Sequence, residues 1–403
     1  MQSGWRIGSI LGIPLRIDPS WFVIVALVTF SYAETFRSQQ PTWSPGLLWG
    51  SALAMAILLF VSVLAHELGH SLIAQAQGIR VSSITLFLFG GVAAIERESR
   101  TPAGAFWVAI AGPLVSLALA LLLLISQLWW PVGSPAQVLS LNLGRLNFIL
   151  AVFNLIPGLP LDGGQVLKAI AWKITGDRYR AVHWAANSGR LLSGAAMAIG
   201  LFSWLLLPGG FGGLWLALLG WFGWRNATAY DRTTTLQQAL LSISAQSAMS
   251  RRYRVLEGSL TLRQFAELLI IEEQEGFAYF VASDGRYRGR ISLTTLRQTE
   301  RSRWDSLTLA DLAEPFDCLP SVLETANLAQ TIVVLQTARP SYVTVLTPSG
   351  AVAGIIDHAD VIQALGKKLG FQLPPSELQQ IRGQATYPEG LPLEMLAQSV
   401  LNN

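Results

Sequence analysis

Long apolar runs are crowded into residues 17–227 of this 403-residue chain, and that crowding restricts its fold more than any other feature. Backbone in hydrocarbon must satisfy its own hydrogen bonds, so an apolar run of about 20 residues reads as a spanning helix. Six segments qualify, at about 19–35, 47–77, 104–130, 138–156, 188–207 and 212–227. Only 13% of the chain is charged, against about 25% in soluble domains, and the deficit sits almost wholly in this part. Residues 228–403 have ordinary soluble composition. The expected fold class is a polytopic α-helical membrane domain over 1–230, a soluble α/β part over 231–370 and a tail over 371–403.

Basic residues orient the spans. Arg6 and Arg16 precede the first, Arg80, Arg97 and Arg100 follow the second, Lys168 to Arg190 follow the fourth, and Arg225 and Arg232 follow the sixth. The alternate connections near 36–46, 131–137 and 208–211 hold only Arg37, which predicts both termini and the soluble part on the cytosolic side. A net charge of +3 is too small to point to a nucleic-acid partner, and none is expected. Cys318 has no second cysteine to pair with, which suits a reducing compartment. No small-residue cleavage site closes the first apolar run, so no cleavable leader is expected.

The second predicted span contains His66-Glu67-Leu68-Gly69-His70. Residues four apart share a helix face, so both imidazoles can point at one metal ion while Glu67 reaches a water beside it. The motif lies roughly 10 Å below the cytosolic end of its span at the helical rise. A hydrolytic metal site needs a third protein ligand and an open position. Asp162, in Asn154-Leu155-Ile156-Pro157-Gly158-Leu159-Pro160-Leu161-Asp162-Gly163-Gly164, lies at matching depth, where an unpaired carboxylate is costly and finds a cation. The competing reading of Asp162 is a helix cap for the segment starting at Gly163.

Val81 to Ile95 reads as a β-hairpin around Gly90-Gly91, either on the surface or re-entering the membrane beside the metal motif, where its edge can hold an extended peptide. The soluble part repeats one helix–strand–strand–helix order, over about 245–300 and 306–368. Other polar residues read as structural. Glu96 and Glu98 suit a solvated loop, His183 an interfacial or capping position, His358 a surface position, and Ala111-Gly112-Pro113-Leu114 close helix packing.

Taken together, the two motifs resemble the site-2 protease family of intramembrane zinc metalloproteases, and the repeat resembles a tandem CBS pair, which one subgroup carries at its C-terminus. The resemblance implies one Zn2+ per chain held by His66, His70 and Asp162, with Glu67 as acid/base and Asn154 binding substrate backbone. It also implies regulated intramembrane proteolysis of a single-span membrane protein, such as an anti-sigma factor or a membrane-bound transcription factor. For the CBS-like pair it implies an adenine nucleotide near Asp360, although Asp357 stands where Ser or Thr is usual and Thr295 replaces the acid of the first unit. A homodimer through this pair has equal standing. The alternative from another class is a CBS-regulated metal transporter or channel; Glu67 argues against it, because transport needs ligands but no adjacent base.

Overall fold

The computed structural model describes residues 4–88, 90–206, 211–272, 277–338, 342–388 and 390–402. Phe89 in the predicted hairpin, Leu207 at the end of the fifth predicted span with 208–210 beyond it, and Glu273 lie outside the described residues. The chain divides into two compact units, Met1–Thr234 and Thr235–Asn403.

The first unit runs β1 (Trp5–Ile10), β2 (Ile13–Ile17), α1 (Ser20–Gln39), α2 (Pro45–Ala76), β3 (Val81–Phe87), β4 (Gly90–Ile95), α3 (Pro102–Ser126), α4 (Pro135–Asn154), α5 (Asp162–Thr175), α6 (Arg178–Leu206) and α7 (Phe211–Ser242), which continues past the unit boundary. Among the described residues, α2, α3, α4 and α6 are long and apolar enough to cross a membrane. The first and last predicted spans are helical as well, but α1 carries Glu34 and Arg37 in its last two turns, and α7 turns polar from Arg225 onward.

Three of the spans begin two or three residues earlier than apolar counting places them. Each starts with a hydroxyl residue followed by proline: Ser44-Pro45, Thr101-Pro102 and Ser134-Pro135. The hydroxyl accepts a free backbone amide of the first turn, and proline, lacking an amide, sacrifices none there.

The predicted hairpin is present as β3 and β4, paired antiparallel with Leu86 opposite Gly91 and Ile84 opposite Ala93. It is half of a larger sheet, ordered β1-β2-β3-β4, in which β2 runs parallel to β3. Ile13 and Leu15 of β2 and Ile84 and Leu86 of β3 form one buried cluster with Ala74 of α2, so the sheet lies against the C-terminal half of that helix. This leaves β4 as an edge strand.

The second unit contains the expected repeat. Its first half has strand β5 (Tyr253–Glu257), helix α8 (Leu262–Glu272), strands β6 (Ala278–Ser283) and β7 (Arg286–Ile291), and helix α9 (Leu293–Gln298). Its second half has β8 (Ser321–Leu323), α10 (Leu328–Leu335), β9 (Tyr342–Leu346), β10 (Val352–Asp357) and α11 (His358–Leu369). In both halves the first two strands pair parallel and the next two antiparallel. The segment expected as a tail folds into α12 (Pro375–Gln384) and α13 (Leu393–Asn402), and Ile381, Leu393 and Ala397 are buried in the core of the second half.

Candidate metal centre

Two elements converge on one point. α2 supplies His66 and His70, one turn apart and buried to 4% and 8% exposure, and the first residue of α5 supplies Asp162. His66 Nε2 lies 3.1 Å from Asp162 Oδ2, His70 Nε2 lies 3.3 Å from the same oxygen, and the two Nε2 atoms are 3.3 Å apart. These are the only three His, Cys, Asp or Glu residues grouped closely enough to hold a metal ion among the described residues. Asp162 is the first residue of α5, and among the described residues its carboxylate meets the two histidines and no amide of its own helix.

The far side of each ring fixes its orientation. His70 Nδ1 donates to the Val108 carbonyl at 2.6 Å, which places its proton on Nδ1 and leaves the Nε2 lone pair facing the centre. His66 Nδ1 lies 2.9 Å from Ser116 Oγ. Val108, Gly112 and Ser116 occur at intervals of four and form one stripe of α3 behind the imidazoles. With the His70 lone pair and the Asp162 carboxylate facing the His66 ring, the cluster needs a shared proton or a cation among its members, and its nitrogen and oxygen donors fit a divalent metal. Ser116→Ala is expected to weaken metal affinity about 10–100-fold with the fold intact, measured by competition with a chromogenic chelator.

Gly112 makes this approach possible. A Cβ there would stand 2.7 Å from His66 Nε2 and closer still to His70 Nε2. The small-residue segment read as helix packing therefore also makes room for the rings. Beside the centre, Glu67 Oε2 accepts the Ala93 amide of β4 at 3.2 Å, and a Cβ on Gly91 would stand 2.7 Å from Glu67 Cγ. The strand and the carboxylate thus meet only because Gly91 has no side chain. Gly90 begins β4 with a positive φ of 130°. Asn154 ends α4, half-buried, and its side chain makes no hydrogen bond among the described residues.

Several residues differ from their sequence reading. Glu98 is no free loop acid: it holds Lys168 at 2.9 Å, Arg178 at 2.7 Å and the Tyr230 hydroxyl at 3.2 Å. His183 pairs through Nδ1 with Asp231, which also holds Arg190 at 3.2 Å. His358 is buried at 7% exposure rather than lying on the surface, its ring 4.8 Å from that of Tyr387. Asp360 is 4% exposed and engaged, with Arg252 at 2.9 Å and Ser250 at 3.0 Å. Asp357 caps α11 through the Asp360 amide and holds Arg252 and Arg382, each at 2.8 Å. Burial pushes both carboxyls up; the two arginines return Asp357 below the usual range, whereas Asp360, beside the Asp357 charge, stays above it.

The model of peptidase family M50 matches residues 54–140 and 133–197, which contain every group of the centre. A protein of Synechocystis sp. named as a zinc metalloprotease, sll0528, is 40% identical over 91% of this chain and 96% of its own length. Another named as a zinc metalloprotease, Rip3 of Mycobacterium tuberculosis, is 33% identical over 91% of this chain and 93% of its own. Among solved structures, the site-2 protease from Methanocaldococcus jannaschii is 31% identical, covers 57% of this chain and 95% of its own, and superposes with a TM-score of 0.40. By its likeness to the Synechocystis and Mycobacterium proteins along nearly its whole length, and by the family model, the chain belongs to peptidase family M50, as an intramembrane zinc metalloprotease.

Proposed function

We propose that His66, His70 and Asp162 hold one zinc ion, that Glu67 is the acid/base, and that the chain cuts a single-span membrane protein near the cytosolic face. The observation that carries this reading is the meeting of two Nε2 atoms and one carboxylate oxygen within 3.3 Å inside an apolar helix bundle. Zinc bound there supplies a Lewis acid that acidifies water and polarises the scissile carbonyl.

The chain's own residues do the rest. Glu67, poised between α2 and β4, takes a proton as water oxygen attacks the carbonyl carbon. It returns that proton to the nitrogen as the C–N bond breaks, leaving a carboxylic acid and an amine. Val108 and Ser116 keep the imidazoles aimed throughout. An amide in a helix is shielded by its own hydrogen bonds, so the substrate must unwind locally. The edge of β4, which pairs with no further strand among the described residues and carries Gly90 and Gly91 next to the Ala93 amide held by Glu67, supports binding of that segment as an added strand, and the unbonded Asn154 amide supports a further backbone contact.

The wider reading places six spans in residues 1–230 with both termini cytosolic, and takes an anti-sigma factor or membrane-bound transcription factor as substrate. It assigns residues 231–370 to a CBS pair that controls access by an adenine nucleotide or by homodimerisation. Nucleotide binding at Asp360 requires the nucleotide to displace Arg252, so titrating ATP and AMP into the full chain tests it directly. The principal test is metal removal. Chelation of the purified protein should abolish cleavage of a single-span substrate, and zinc at one equivalent should restore it. Undiminished cleavage by metal-free protein sinks the assignment.

A further inference from the structure

The ion-pair cluster around Glu98 lies where the two sides of the centre come together a second time. Glu98 follows β4 by three residues and stands five residues from Ala93, whose amide holds Glu67. Lys168 lies on α5, six residues from Asp162, and is buried to 4% exposure. The Lys168 ammonium meets Glu98 Oε2 at 2.9 Å, and Arg178, the first residue of α6, meets the same oxygen at 2.7 Å. The other oxygen, Oε1, accepts the Tyr230 hydroxyl of α7 at 3.2 Å. Tyr230, like Leu167 of α5, packs against a buried cluster of Leu159, Val182, Ala185 and Ala186, and Leu159 belongs to the loop that delivers Asp162. One carboxylate therefore joins the strand beside Glu67 to three helices, one of which carries the third proposed ligand. A lysine this buried is costly without an anion, which makes the contact hard to give up.

We propose that Lys168 and Glu98 form a positioning pair that sets the distance between β4 and α5, and so seats Asp162 against the two histidines. The pair touches neither metal nor substrate; it acts through the backbone of α5. This inference rests on the assignment of Asp162 as a ligand, so the two must be able to fail separately.

The test uses full-length protein in detergent and compares wild type with Lys168→Met, Lys168→Arg, Glu98→Gln with Lys168→Met, and Asp162→Ala. Lys168→Met removes the buried charge instead of stranding it, and the double variant leaves neither partner unpaired, so both keep the fold accessible. Zinc affinity and the visible spectrum of cobalt-loaded protein are read alongside the unfolding midpoint. Lys168→Met and the double variant should bind zinc about 10–100-fold more weakly, as loss of an outer support does, with an altered cobalt spectrum. Lys168→Arg should restore both. Wild-type affinity and spectrum in Lys168→Met, even with a lowered midpoint, overturn the positioning role and leave the centre intact. Wild-type zinc affinity in Asp162→Ala instead overturns the ligand assignment itself.

Discussion

Replacing Glu67 with glutamine should lower kcat about a thousandfold, within the range general acid–base catalysis supplies, while zinc content stays at wild-type level. The amide keeps the shape and polarity of the side chain and cannot take a proton from water. The Ala93 amide still finds an oxygen to bond, so the strand and helix stay together. Zinc measured by atomic absorption and cleavage followed on a gel separate the outcomes. Loss of both would make Glu67 a structural support; loss of neither would remove it from the mechanism.

Gly112→Ala should be as damaging by a different route. One methyl group would enter the space that both imidazoles use, 2.7 Å from His66 Nε2. The rings cannot swing away without giving up Ser116 and the Val108 carbonyl. Zinc affinity is expected to fall by at least about a hundredfold, the upper range for disturbed supports of a metal site, and cleavage with it. Gly50→Ala on α2 is the control, since a Cβ there meets nothing within 4 Å. It should bind zinc normally and gain up to about 1 kcal/mol of helix stability. Equal zinc binding by the two variants would show that the rings have slack.

His66, Glu67 and His70 were legible because a fixed spacing on one helix turns sequence directly into geometry. Asp162 was legible through the cost of an unpaired carboxylate at that depth. Ser116 and the Val108 carbonyl were not, because a serine and a backbone oxygen in an apolar span carry no signal until their partner helix is known. The interval of four from Gly112 could have pointed to them. Helix ends were misplaced by counting apolar residues, although the Ser-Pro and Thr-Pro pairs announce them. β1 and β2 were missed although they form a local hairpin turning at Leu11-Gly12; what no local pattern reveals is that β2 pairs parallel with β3 across the whole of α1 and α2. The cluster at Glu98 joins residues up to 132 positions apart, and only the fold brings them together. Asp360 was recognisable as an acid at a helix start, but not as one already held by arginine.

The edge strand β4 reads Gly90-Gly91-Val92-Ala93-Ala94-Ile95, and four of its six residues carry nothing larger than a methyl group. If the substrate adds to β4 as proposed, such an edge offers main-chain partners and almost no pockets, and would grip a peptide without reading its side chains. A protease with so smooth a rail has little basis for refusing one membrane segment over another. Containment, meaning control over which chains arrive there at all, then becomes the selective step.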